Sequence, residues 1–184
     1  MGWRPRYDPA HDNFVHWRHD PADPASLGSD DVTAVVRAGK GPLWVAHFDA
    51  GIDRLQPDGR GFDHLRQNPA DPKALVSDTV LSLLAESDGA LWVCTAHGLD
   101  RILPDGTIEH VAFDRPDDAL RDKQLRVHRV FRLDGTLYIG TNLGLYVLKP
   151  GASTAVPEAR DTLSSKATMS FAADTGGRLW IGTS

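Results

Sequence analysis

The chain has 184 residues, 41% of them hydrophobic and 24% charged, with a formal net charge of −5. This balance describes a folded domain rather than a disordered chain, and without a basic block a nucleic-acid partner has no electrostatic support. No apolar run approaches the roughly 18 residues of a membrane span, and the opening MGWRPRYDPAHDN lacks a signal-peptide core, so any export signal is expected outside this segment or not at all.

From the N-terminus, FVHWRHDPADPASLGSDDV (Phe14 to Val32) comes first and returns without a gap as FDHLRQNPADPKALVSDTV (Phe62 to Val80), an offset of 48. GPLWVAHFDAGIDRLQPDG (Gly41 to Gly59) follows the first copy, and GALWVCTAHGLDRILPDG (Gly89 to Gly106) follows the second. A looser copy, IEHVAFDRPDDALRDKQL (Ile108 to Leu125), leads into GTLYIGTNLGLYVLKPG (Gly135 to Gly151), and GRLWIGTS (Gly177 to Ser184) begins a fourth. Trp44, Trp92, Tyr138 and Trp180 mark the copies at steps of 48, 46 and 42 residues, a period that signals an array of supersecondary units.

Within the second unit, short β-branched and aromatic runs predict strands at Val80 to Ala85, Leu91 to Thr95, Leu99 to Leu103 and Ile108 to Phe113. Ser87 to Gly89 and Pro104 to Gly106 read as tight turns, because Asp tolerates and Gly favours a left-handed backbone. Asn68 to Asp78 is long and proline-rich, which suits a surface connection and not a sheet interior. Four antiparallel strands per repeat predict an all-β fold, a partial β-propeller of about three complete four-stranded blades plus part of a fourth. The repeats run at about 14–61, 62–107, 108–153 and 154–184, and a β-sandwich is the second architecture considered.

The pattern G-x-L-W-V/I-x-T-x-x-G-L/I in GALWVCTAHGLDRI, GTLYIGTNLGLYVL and GRLWIGTS resembles the repeat of the two-component regulator propellers, the extracytoplasmic sensor regions of bacterial signalling proteins. The first copy departs from it, with Ala46 and His47 in place of glycine and threonine and one extra residue before Gly51, and the second carries Cys94 at the glycine position. The resemblance implies a fragment of a larger, commonly seven-bladed ring. It also implies a periplasmic place in an inner-membrane protein and a non-catalytic, ligand-sensing role, with a histidine kinase or diguanylate cyclase output outside this segment. A partial ring would expose sheet edges at Phe14 to Arg18 and at the last strand, from which a homodimer is expected.

The repeated aromatic residues read as packing between blades, and Cys94, whose counterpart is Gly140, as a buried inert thiol. His16, His64 and His110 recur in step with the tryptophans, which suggests a recurrent hydrogen bond between blades and not a metal site; no cofactor is expected. Asp53-Arg54 and Asp100-Arg101 read as surface ion pairs on an outer strand.

Function is sought where the repeats differ on one face. The connections between blades and the loops joining second and third strands share one end of a propeller, placing His47, Phe48, Asp49, His97 and Asn142 there with Asp20, Asp23, Asn68, Asp71 and Asp117. Such a set suits an unidentified polar, glycan-like small molecule held by hydrogen bonds and an aromatic platform. The alternatives are a propeller enzyme such as a lyase, with His97 or His47 as base, and a protein-interaction scaffold.

Overall fold

The computed structural model describes residues 6–8, 13–115, 124–158 and 167–184. Every regular element among them is a strand, and the strands form successive sheets. β1 (Arg6–Asp8) pairs with β2 (Asn13–Val15) as a separate hairpin. The first full blade is β3 (Val32–Arg37), β4 (Leu43–His47), β5 (Ile52–Leu55) and β6 (Phe62–Leu65), hydrogen-bonded in that order. The second is β7 (Val80–Ala85), β8 (Leu91–Thr95), β9 (Gly98–Ile102) and β10 (Ile108–His110).

The third sheet has five strands, with β11 (Ala112–Phe113) added in parallel to β15 (Thr154–Pro157). β14 (Gly144–Leu148), β13 (Thr136–Thr141) and β12 (Val127–Leu133) complete it. β16 (Thr168–Ala173) and β17 (Leu179–Thr183) form the final antiparallel pair. The single strand expected from Ile108 to Phe113 is thus broken at Val111. Val111 N still donates to Leu99 O, but Asp114 N donates to Ala155 O, so the chain changes sheets between them.

The first strands β3, β7, β12 and β16 contact one another in succession, which is the radial stacking of propeller blades. Each carries the same irregularity near its start: register shifts fall at Val32/Ala34, Val80/Ser82, Val127/Arg129 and Thr168/Ser170. A bulge bends a strand and re-aims its side chains. Thr33 Oγ1 donates to Val80 O and Ser82 Oγ to His128 O, both at 3.0 Å, so side chains beside the bulges hold the next blade.

The core lies between sheets. Trp44, Ala46 and Ile52 pack against Val80, Leu91 and Val93 of the following blade, and Trp92, Cys94 and Leu99 against Val127, Val130, Leu137 and Ile139. Trp44 is 6% exposed and Trp92 3%, as the packing role requires, whereas Trp180 on β17 is 61% exposed. Cys94 is fully buried, and burial pushes its thiol up to about 12, far from the range of a reactive cysteine.

Among the hairpins, the β12–β13 turn shows its chemistry plainly. Asp134 (φ 48°) and Gly135 (φ 77°) are both left-handed, as a two-residue hairpin of this twist requires.

Candidate functional site

β5 and β6 place Asp53 opposite His64, and β9 and β10 place Asp100 opposite His110. Contrary to the surface ion pair read from sequence, both aspartates are fully buried. Their strands turn the carboxylates beneath the long connection that leads into the same blade. Asp53 Oδ2 accepts from Gly28 N at 2.7 Å, and Asp100 Oδ2 from Val76 N at 2.9 Å.

The histidines complete the grip. Nδ1 of His64 and of His110 lies 2.7 Å from its aspartate, while Nε2 meets Pro24 O at 2.9 Å in one case and Pro72 O at 2.7 Å in the other. His64 and His110 therefore tie each of the first two full blades to its own entrance connection and do not join neighbouring blades. The sequence carried a signal for this: in the third repeat Tyr146 faces Pro157, so aspartate and histidine vanish together.

The two grips differ in what else they hold. His47 replaces the threonine found at positions 95 and 141, whose hydroxyls donate to the carbonyls of Gly98 and Gly144 and cap the following loop. Instead of lying on the loop face, His47 is fully buried and its Nε2 meets Asp53 Oδ2 at 2.8 Å. Arg66 Nη1 donates to Asp53 Oδ1 at 3.2 Å. Burial alone would raise the Asp53 carboxyl, but the hydrogen bonds from His47, His64 and the Gly28 amide bring it down to about 2. Asp100, with Val76 and His110 but no second histidine or arginine on it among the described residues, is pushed up by burial. Burial acts to lower His110, yet its bonds to Asp100 and to the Pro72 carbonyl hold it above the usual imidazole range.

The loop face forms as the propeller reading requires. Phe48 N donates to Asp31 O, Ala96 N to Thr79 O and Asn142 N to Arg126 O, fastening each loop between second and third strands to the connection beside it. Asn142 fastens it twice more, accepting from Arg126 N at 2.8 Å and donating to Gln124 O at 3.0 Å. Phe48 and Asp49 are exposed at the tip of the first loop. Asp20, Asp23, Asn68 and Asp71 each accept from the backbone amide two residues on, at 2.9 to 3.1 Å, and so shape local turns. Asp117 lies outside the described residues.

His97 is exposed, and its Nδ1 meets Ser77 Oγ at 3.0 Å, a hydroxyl and not the carboxylate that would poise it as a base. It lines a cavity of about 490 Å³ between the second and third blades, together with Asp100, His110, Phe113 and Arg115. Of the loop-face residues named from sequence as ligand-binding, the cavity takes in His97 alone. His110 comes to it from β10, and Phe113 and Arg115 through the sheet change at Val111, which periodicity does not reveal.

No protein-family model matches the chain, and no curated protein matches it. Solved structures do. The extracellular domain of BT3049, assigned to a hybrid two-component system of B. thetaiotaomicron, superposes with a TM-score of 0.73 at 22% identity over 94% of this chain. PorZ, a surface component of the type-IX secretion system of Porphyromonas gingivalis, gives 0.65 at 15% identity over 96%. YCF48 from Cyanidioschyzon merolae gives 0.59 at 11% over 93%. The chain spans 24% of the length of BT3049, 27% of PorZ and 57% of YCF48. The fold is that of a partial β-propeller, and the likeness to BT3049 agrees with the resemblance read from the repeats.

Proposed function

We propose that this chain is the ligand-sensing segment of an extracytoplasmic propeller in a bacterial signalling protein, periplasmic and joined to a kinase or cyclase output. Its role is binding and not catalysis. The observation that carries the reading is the cavity beside His97, where loop-face divergence between repeats meets a concave site. Imidazole, guanidinium and phenyl groups around one opening suit a polar, hydroxyl-rich ligand: the first two hydrogen-bond hydroxyls and the ring packs against a sugar face. The fold likeness to the extracellular domain of BT3049 supports the sensory role.

Calorimetric titration with neutral, amino and acidic oligosaccharides tests it. Saturable binding is expected for at least one class and is lost in His97→Ala; Phe113, which also packs edge-on against Tyr146, is replaced by leucine, which removes the ring and keeps an apolar core contact, and this variant too should lose binding. Titrations without saturation across the panel, or binding indifferent to both substitutions, remove the cavity as the ligand site.

A further inference from the structure

His110 has an acceptor on each ring nitrogen. Nδ1 lies 2.7 Å from Asp100 Oδ1 and Nε2 lies 2.7 Å from the Pro72 carbonyl oxygen. A neutral imidazole carries one N–H and can satisfy only one of two such partners. Both bonds exist together only when the Asp100–His110 pair holds one proton more than a carboxylate with a neutral ring, a proton that belongs to the pair.

We propose that His110 is a proton-dependent latch: with the extra proton it ties the Asn68-to-Asp78 connection to the second blade, and without it one of its two bonds is released. Val76 and His110 both line the cavity beside His97, so the latch sets the shape of that opening. This conclusion concerns the wall and stands whether or not a ligand enters.

Among the charged groups around His110, Asp100 is the one that favours the closed form at low pH. Asp100 and Arg101 lie on β9, and Glu109 precedes His110 on β10. Asp71 and Lys73 flank Pro72 in the chain and are exposed. His97 and Arg115 stand across the cavity. Asp100 is the carboxylate in direct contact, and the raised affinity of His110 for its proton follows from it. The sign is that of a raised cationic group: its contribution is complete below the ordinary imidazole value of 6.5 and fades as pH rises through the folded-state value above it. The first blade repeats the geometry at His64, but there Arg66 and His47 also hold Asp53. The second blade is therefore the one in which the histidine proton governs the connection.

Two measurements on the intact chain decide it. Nitrogen-resolved NMR of the His110 ring, read together with the carboxyl carbon of Asp100, should show the pair holding two protons below pH 6.5 and releasing one as pH rises through the His110 transition. Amide exchange at Val76, whose N–H is held by Asp100, should lose protection as the ring titrates, while Val93 in the middle of β8 keeps its own. In His110→Ala the pH dependence at Val76 should vanish. A pair that holds only one proton below pH 6.5 overturns the proposal, as does Val76 protection that stays constant through the titration; both are read on the unsubstituted protein and do not depend on the variant folding.

Discussion

Arg132 and Glu86 hold the second and third blades together across their interface. Arg132 Nε and Nη2 donate to one oxygen, Glu86 Oε1, at 2.8 and 2.6 Å, and the Trp92 indole N–H reaches that same oxygen at 2.6 Å. Arg132 also lies over the Trp92 ring, 5.9 Å from its centroid.

Arg132→Met keeps the length of the side chain and removes the donors. Charged hydrogen bonds contribute about 1.5–3 kcal/mol each, but the two side chains are 34% and 17% exposed and solvent screens them, so a net loss of about 1 kcal/mol is expected. A urea titration should show a lower midpoint with an unchanged slope; an unchanged midpoint would mean the contact contributes nothing to stability.

Acid should expose the Asp53 grip. A depressed carboxyl stabilises above its unfolded value of 3.8, and the contribution disappears as pH falls toward about 2. A displacement of this size corresponds to about 2 kcal/mol. Asp53→Asn should lower stability at neutral pH by about 3 kcal/mol, because Arg66 loses its counter-charge and one of the two buried oxygens that serve His47, His64 and the Gly28 amide becomes an NH2 group, and should flatten the acid limb. Unfolding free energies measured against pH for both proteins check the sign and the flattening together.

Cys94 should resist alkylation. With its thiol held near 12 and no exposed surface, iodoacetamide should label it only when the chain opens. Mass spectrometry over time in increasing denaturant should give a labelling rate that follows unfolding. Rapid labelling of the native protein would place the thiol outside the core.

Gly140 occupies the Cys94 position in the third blade and has no room for a side chain. A Cβ there would lie 2.7 Å from Thr168 O and 3.1 Å from its Cγ2, because β16 approaches closely at that point. Gly140→Ala should cost about 1–3 kcal/mol through displacement of β16. A melting curve equal to that of the unsubstituted protein would show that β16 yields freely.

Much of the propeller could be read from the sequence because packing between blades imposes the same demand on every repeat. Trp44 and Trp92 meet equivalent neighbours, and the predicted strands Val80 to Ala85 and Leu91 to Thr95 stand with those bounds. Asp53 and Asp100 were misread because strand alternation does not show that a proline-rich connection covers an outer strand. Pairing aspartate with histidine needs the register of β5 with β6 and of β9 with β10. The cavity was less legible still: Phe113 and Arg115 reach it after a sheet change set by the partner strand β15.

Because Asp53 and His64 grip Pro24 and Gly28, the first blade carries its own entrance connection as a fixed part. The portable module of this chain therefore begins at that connection and closes after the last strand of the sheet. A chimera joined just after Leu65 transplants carboxylate, imidazole and both backbone partners as one piece. A junction placed at Gly61, where the sequence repeat ends, would leave Asp53 with one parent and His64 with the other, and recombination among such repeats should favour the former seam.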